Sequence, residues 1–219
     1  MKKFFIVAAA IVGFIAVVGT ALHLLAQPLP SALILDDTCH PPCWLGIRPG
    51  GMSPWGVFQI LVDAPFVDQS SIRQGGDPGA TEHIAWRFRR PAGDLAGYVY
   101  FDTERVSHLR ILTLGAMNLG EALRKYGEPD AFWLQTRDMP SEAWTQLNII
   151  YPEIGCVLEI RFDYTGKAAP TRVALSEHTP IRAVTYFDPS STRALFPIAA
   201  DELHEWNGLG QIELTTPPE

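Results

Sequence analysis

Asn118-Leu119-Gly120-Glu121-Ala122-Leu123-Arg124-Lys125-Tyr126-Gly127 reads as a short helix with both ends specified. Asn118 offers a capping side chain, and Glu121 three residues later completes the spacing of a capping box. Leu119, Ala122, Leu123 and Tyr126 form one apolar stripe. Arg124 and Lys125 suit the negative end of the helix dipole, and Gly127 stops the helix. So short a helix is marginal alone and must lie on something apolar, so its flanks decide the fold.

Downstream, Glu128-Pro129-Asp130 turns the chain into Phe132-Trp133-Leu134, and strand patterns follow at Thr145 to Tyr151, Cys156 to Asp163, Thr171 to Ser176 and Ile181 to Phe187. Residues 156, 158, 160 and 162 are apolar while Glu159 and Arg161 are charged, an alternation that puts the Cys156 thiol on a buried face. Upstream, Ser53-Pro54 is a second helix start, with Trp55, Phe58, Ile60, Leu61 and Val62 as its apolar positions and Asp63-Ala64-Pro65 as its stop. Val67 to Thr81 reads as a polar, glycine-bearing loop. Strands are expected at His83 to Arg89, Ala96 to Phe101 and Arg105 to Thr113, with a turn at Asp102 to Glu104. The fold class expected is α+β: an N-terminal transmembrane helix, then two helix-plus-antiparallel-sheet halves in tandem over 44–113 and 114–187. Residues 188–219 read as short helices (Ser191 to Phe196, Ala199 to Trp206) and a frayed tail from Gln211.

The chain has 219 residues, 47% hydrophobic and 19% charged, which excludes a disordered protein. Only one stretch is apolar and long enough to span a bilayer, which excludes a polytopic membrane protein. A net charge of −7 argues against a nucleic-acid partner, and three cysteines are too few for a disulfide-dense scaffold.

The apolar stretch, Phe4 to Ala26, follows Lys2 and Lys3. As a helix it would be about 35 Å long, enough for a hydrocarbon core of roughly 30 Å. The lysines favour a cytoplasmic N-terminus and an exported remainder. Residues 1–26 are therefore expected to be a single-pass membrane anchor, with a cleaved signal segment and a secreted product as the alternative. Residues 27–43 read as a tether, opening on Gln27-Pro28-Leu29-Pro30 and ending at Cys39 and Cys43. In an oxidising compartment Cys39 and Cys43 can pair across His40-Pro41-Pro42. Free thiols, a bridge to Cys156, or a metal held by Cys39, His40 and Cys43 are the other readings of this spacing.

Sequence motifs for nucleotide, zinc-peptidase, serine-hydrolase or calcium chemistry are not found, and no catalytic residue, cofactor or metal site is assigned. Arg87 and Arg89, with Arg90, make a basic spot on a polar strand face, a candidate contact for an acidic partner or lipid headgroups. Trp144 is the aromatic candidate for a partner contact, while Trp55 and Trp86 sit at core-compatible positions.

Two motifs carry a resemblance. Ile47-Arg48-Pro49-Gly50 with Ser53-Pro54, and Leu119 to Tyr126 followed by Gly127-Glu128-Pro129, resemble the openings of SmpA/OmlA-type exported lipoproteins and of the tandem β-lactamase-inhibitor-protein modules. Cys39 to Gly50 also resembles uncharacterised exported proteins carrying C-x-x-P-C-W-x-G-I-x-P-G. The resemblance implies a non-enzymatic module whose sheet packs helices on one face and leaves the other for a protein partner. The expected function is thus a membrane-anchored, extracytoplasmic interaction or scaffold module. The competing expectation is an exported hydrolase whose site gathers one of His83, His108 or His178 with a carboxylate and a serine or cysteine.

Overall fold

The computed structural model describes residues 39–76, 82–89, 96–139, 141–165, 170–191, 196, 198 and 202–213. The expected anchor at 1–26, most of the tether, Arg90 and most of the Ser191 to Phe196 helix pattern lie outside the described residues. No helix among the described residues is long and apolar enough to cross a membrane.

The elements in chain order are α1 (Pro54–Asp63), β1 (Val67–Gly75), β2 (Glu82–Phe88), β3 (Ala96–Asp102), β4 (Arg105–Asn118), α2 (Leu119–Tyr126), β5 (Ala131–Met139), β6 (Glu142–Tyr151), β7 (Cys156–Asp163), β8 (Arg172–Leu175), β9 (Pro180–Phe187), β10 (His204–Glu205) and β11 (Gly210–Glu213). Nine strands form one antiparallel sheet in the order β1-β2-β3-β4-β9-β7-β6-β5-β10, and β8 pairs with β11 in a separate ribbon.

Both helices start as their sequences require. The Ser53 hydroxyl accepts from the Gly56 N–H ahead of Pro54 at N1. Asn118 Oδ1 accepts from Glu121 N at 2.9 Å while Glu121 Oε2 accepts from Asn118 N at 2.9 Å, a complete capping box. Val57 and Leu61 of α1 and Leu119 and Ala122 of α2 join one core with Ile84, Trp86, Val99, Leu109, Ile111, Ile149, Leu158 and Tyr186. Both helices therefore lie on the same face of the sheet. Trp44 enters that core stacked on Trp86 at 5.5 Å and edge-on to Phe66 and Phe88. Gly97 is required there, since a Cβ would fall 1.9 Å from the Trp86 ring.

The α+β expectation is corrected. More than half of the described residues lie in strands, against two short helices, so this is a mainly antiparallel β structure. Nor do the two segments build separate sheets. β4 pairs with β9 from His108↔Phe187 to Asn118↔Pro180, joining the strands of 67–118 to those of 131–187 over one shared core. Four strand segments are longer or more regular than their sequence patterns indicate. Val67–Gly75 is an edge strand exposed on much of both faces, so its residues show no clean alternation, and a bulge between Asp68 and Arg73 breaks the period further. Ala131–Met139 runs on through polar residues beyond Leu134. His204–Glu205, expected in a helix, pairs with β5, and Gly210–Glu213, expected to fray, pairs with β8.

Candidate functional site

Strand alternation sends a second set of side chains to the face opposite the helices. The registers Tyr100↔His108, Arg110↔Thr185 and Asn148↔Glu159, with Gln135↔Gln146 on the next strands, bring β3, β4, β9, β7, β6 and β5 together there. A cleft of about 260 Å³ lies over this face, walled by Tyr100, Trp133 and Phe196 and floored by polar groups.

The floor is tightly bonded. Glu159, 6% exposed, accepts from Arg110 Nη2 at 2.5 Å and from Thr185 Oγ1 at 3.4 Å. Asn148 accepts from Gln146 Nε2 at 2.7 Å, and both amides donate more loosely to Gln135 Oε1. Arg110 Nε is buried and finds no partner among the described residues. An unsatisfied buried donor is costly, and the rest of the Arg110 side chain, 34% exposed, is the part of the cleft floor open to a bound acceptor.

His108 closes one side, stacked on Tyr100 with ring centroids 4.3 Å apart. Its Nδ1 lies 2.9 Å from Ser107 Oγ, and that hydroxyl donates to the Tyr100 carbonyl at 3.3 Å. Desolvation, reinforced by the Arg110 charge, pulls His108 down to about 4, so it is neutral near pH 7. Burial raises the Tyr100 phenol above its ordinary value, with Arg110 opposing.

Cys39 and Cys43 form a disulfide with Cα atoms 5.7 Å apart. That corrects the free-thiol and Cys156-bridge readings, because Cys156 is a free, wholly buried thiol whose pKa is raised by desolvation. His40 is exposed beside the bridge. Among the described residues no group of three His, Cys, Asp or Glu side chains is placed to hold a metal ion.

The three candidate partner contacts are not brought together. Trp144 is half-buried, with its Nε1 donating to Glu142 Oε1 at 3.1 Å and the Arg161 guanidinium 4.8 Å above its ring. Arg87 is exposed on β2, and Arg89 just beyond it donates from Nε to the Val67 carbonyl at 2.8 Å. β2 and β6 stand five strand spacings apart, about 24 Å. Trp55, read as core, is 69% exposed. His83 packs against Tyr98 and Tyr100, and His178 is exposed in the turn before β9.

Apart from His108, the cleft residues carry no pattern signal of a site in the sequence, because Glu159 on β7 looks like the solvent side of a strand with one wet face. The available signal was chemical: Gln135, Gln146 and Asn148 place amides, not charges, at outward positions of β5 and β6. Amides bury more readily than charges when they can bond to one another.

No protein-family profile, curated protein or solved structure matches this chain.

Proposed function

We propose that the protein is a non-enzymatic recognition module, held outside the cytoplasm by its N-terminal segment, which binds its ligand on the sheet face opposite the helices. One observation carries this reading: a polar cleft whose floor is pre-organised by mutual hydrogen bonds, with the Arg110 side chain still 34% exposed in it. Such a floor binds without rearranging, because its side-chain entropy is already spent.

The Ser107–His108 contact favours a second reading, a hydrolase. Two features count against it. The imidazole is a weakened base, and the neighbouring carboxylate, Glu159, is committed to Arg110 and Thr185. A serine nucleophile needs the opposite arrangement, a basic imidazole oriented by a free carboxylate.

The test is a thermal-melt screen of the purified full-length chain against small polar compounds, repeated on Gln135→Ala and Gln146→Ala. A ligand at a hundred times its Kd adds about 2.7 kcal/mol, a resolvable shift. Compounds that raise the melting temperature of the wild type and not of the cleft variants support recognition at this face. Turnover of chromogenic esters, amides or glycosides that disappears in His108→Ala would replace it with the hydrolase reading.

A further inference from the structure

The two helices lie on the same sheet face, yet their outward surfaces differ in kind. α2 turns Arg124 and Lys125 outward beside Glu121, an ordinary solvated surface. α1 carries no charged residue from Pro54 to Val62. Val57 and Leu61 point into the core, and the outward surface is Trp55, Phe58 and Gln59 with half-buried Val62. Trp55 is 69% and Phe58 36% exposed, with their rings stacked at 5.8 Å. Together with Pro54, Ile72, Gln74 and Ile84 they line an apolar groove of about 250 Å³ between α1 and β1. An exposed helix face led by stacked aromatic rings, with Gln59 and the terminal Asp63 as its polar residues, is unusual for a solvated surface.

We infer that the Trp55–Phe58 face of α1 docks on the lipid surface of the membrane that holds the chain. The position of the chain's apolar run selects this occupant, so the inference rests on the anchoring part of the proposed function. The dozen residues between Ala26 and Cys39 span at most roughly 43 Å when fully extended. The chain then joins the fold at Cys43 and Trp44, and Trp44 packs in the same core layer as Val57 and Leu61 of α1. The described end of the tether leaves that layer at Pro42, beside Gly155 in the β6–β7 turn at the end of the sheet, and a reach of this length brings the α1 face to the bilayer. Tryptophan is the residue type that gains most at the lipid interface, where its ring is buried and its N–H stays hydrated. Docked in this way, the molecule presents the opposite face, with the polar cleft, away from the bilayer.

The experiment uses the full-length chain reconstituted into vesicles of phosphatidylcholine and phosphatidylglycerol, with acyl chains brominated near the headgroups as a fluorescence quencher. Resistance of the bound chain to carbonate extraction reports the anchor. The difference between wild type and Trp55→Ser isolates the Trp55 emission. Trp55 is exposed, so the variant keeps its fold, and matching melts in detergent confirm this. Docking predicts that the Trp55 component shifts to the blue on reconstitution and loses the larger part of its intensity to brominated lipid, while Phe58→Ser weakens both effects. A chain that anchors yet shows an unquenched Trp55 overturns the inference and leaves the anchor standing. A chain removed by carbonate overturns both. Vesicle-bound dimers dispersed by Trp55→Ser, with Trp55 unquenched, would assign the face to a second copy of the chain and equally overturn it.

Discussion

His108 sits where gaining a proton destabilises the fold. In the unfolded chain its imidazole titrates near the ordinary value of about 6.5. In the folded protein the ring lies between Tyr100 and the Arg110 charge and titrates at about 4. Above pH 6.5 both states hold it neutral and it makes no demand. As pH falls from 6.5 toward 4 the unfolded state takes up the proton first, so stability declines through that window, by about 2–3 kcal/mol. Denaturant midpoints measured between pH 7 and pH 4.5 should show this decline, and His108→Gln should flatten most of it; an equally steep profile in the variant would move the cause elsewhere. That His108 lies on a strand was legible in the sequence. Its cleft was not, because only Arg110, two residues along β4, is local, while Tyr100 and Glu159 join it through the registers of β3, β4, β9 and β7.

At the scale of elements, the parts with local signals emerged cleanly from the sequence. The capping box of α2, the Ser53-Pro54 start of α1 and the Asp102 to Glu104 turn each depend on side chains within a few residues of one another. β1 and β11 have no such signal, since an edge strand is defined by its neighbour and not by its own alternation. The β3–β4 turn supports a sharper expectation. Asp102 pairs with Arg105, and the two residues between them, Thr103 and Glu104, both have positive φ, 45° and 77°. That is the backbone of a two-residue turn that favours Asn-Gly. A side chain in this left-handed region costs roughly 1–2 kcal/mol, and glycine returns part of that as greater freedom in the unfolded chain. Replacing Thr103-Glu104 with Asn-Gly should therefore stabilise the protein by about 0.5–1 kcal/mol, read as a higher melting temperature. Because both residues are exposed, no packing loss offsets the gain. A lower melting temperature would show that one of these side chains holds the turn in a way its backbone does not reveal.

For the molecule as a whole, the seam between β4 and β9 matters most. Each helix-led segment supplies four strands to the large sheet, and the segments meet where Leu109, Ile111, Val184 and Tyr186 pack as one layer. The order of elements could be read along the chain. This pairing could not, because strands some seventy residues apart leave no mark on each other's local pattern. A ladder interrupted only between Leu112 and Met117, over a continuous core, makes the two segments one cooperative unit, since neither can unfold without exposing the other's apolar face. Trp86 on β2 and Trp133 on β5 report the two sides separately. Following each as the fluorescence difference between the wild type and its own Trp86→Phe or Trp133→Phe variant, which removes the signal of the other tryptophans, should give a single shared denaturation transition once the small offset between the two variants is corrected. Ile111→Ala at the seam, where the side chain is wholly buried, should cost about 2–4 kcal/mol and move both reporters by the same amount. If the Trp86 signal shifted while the Trp133 signal kept its midpoint, the two segments would be separable folding units joined by a ladder of little energetic consequence.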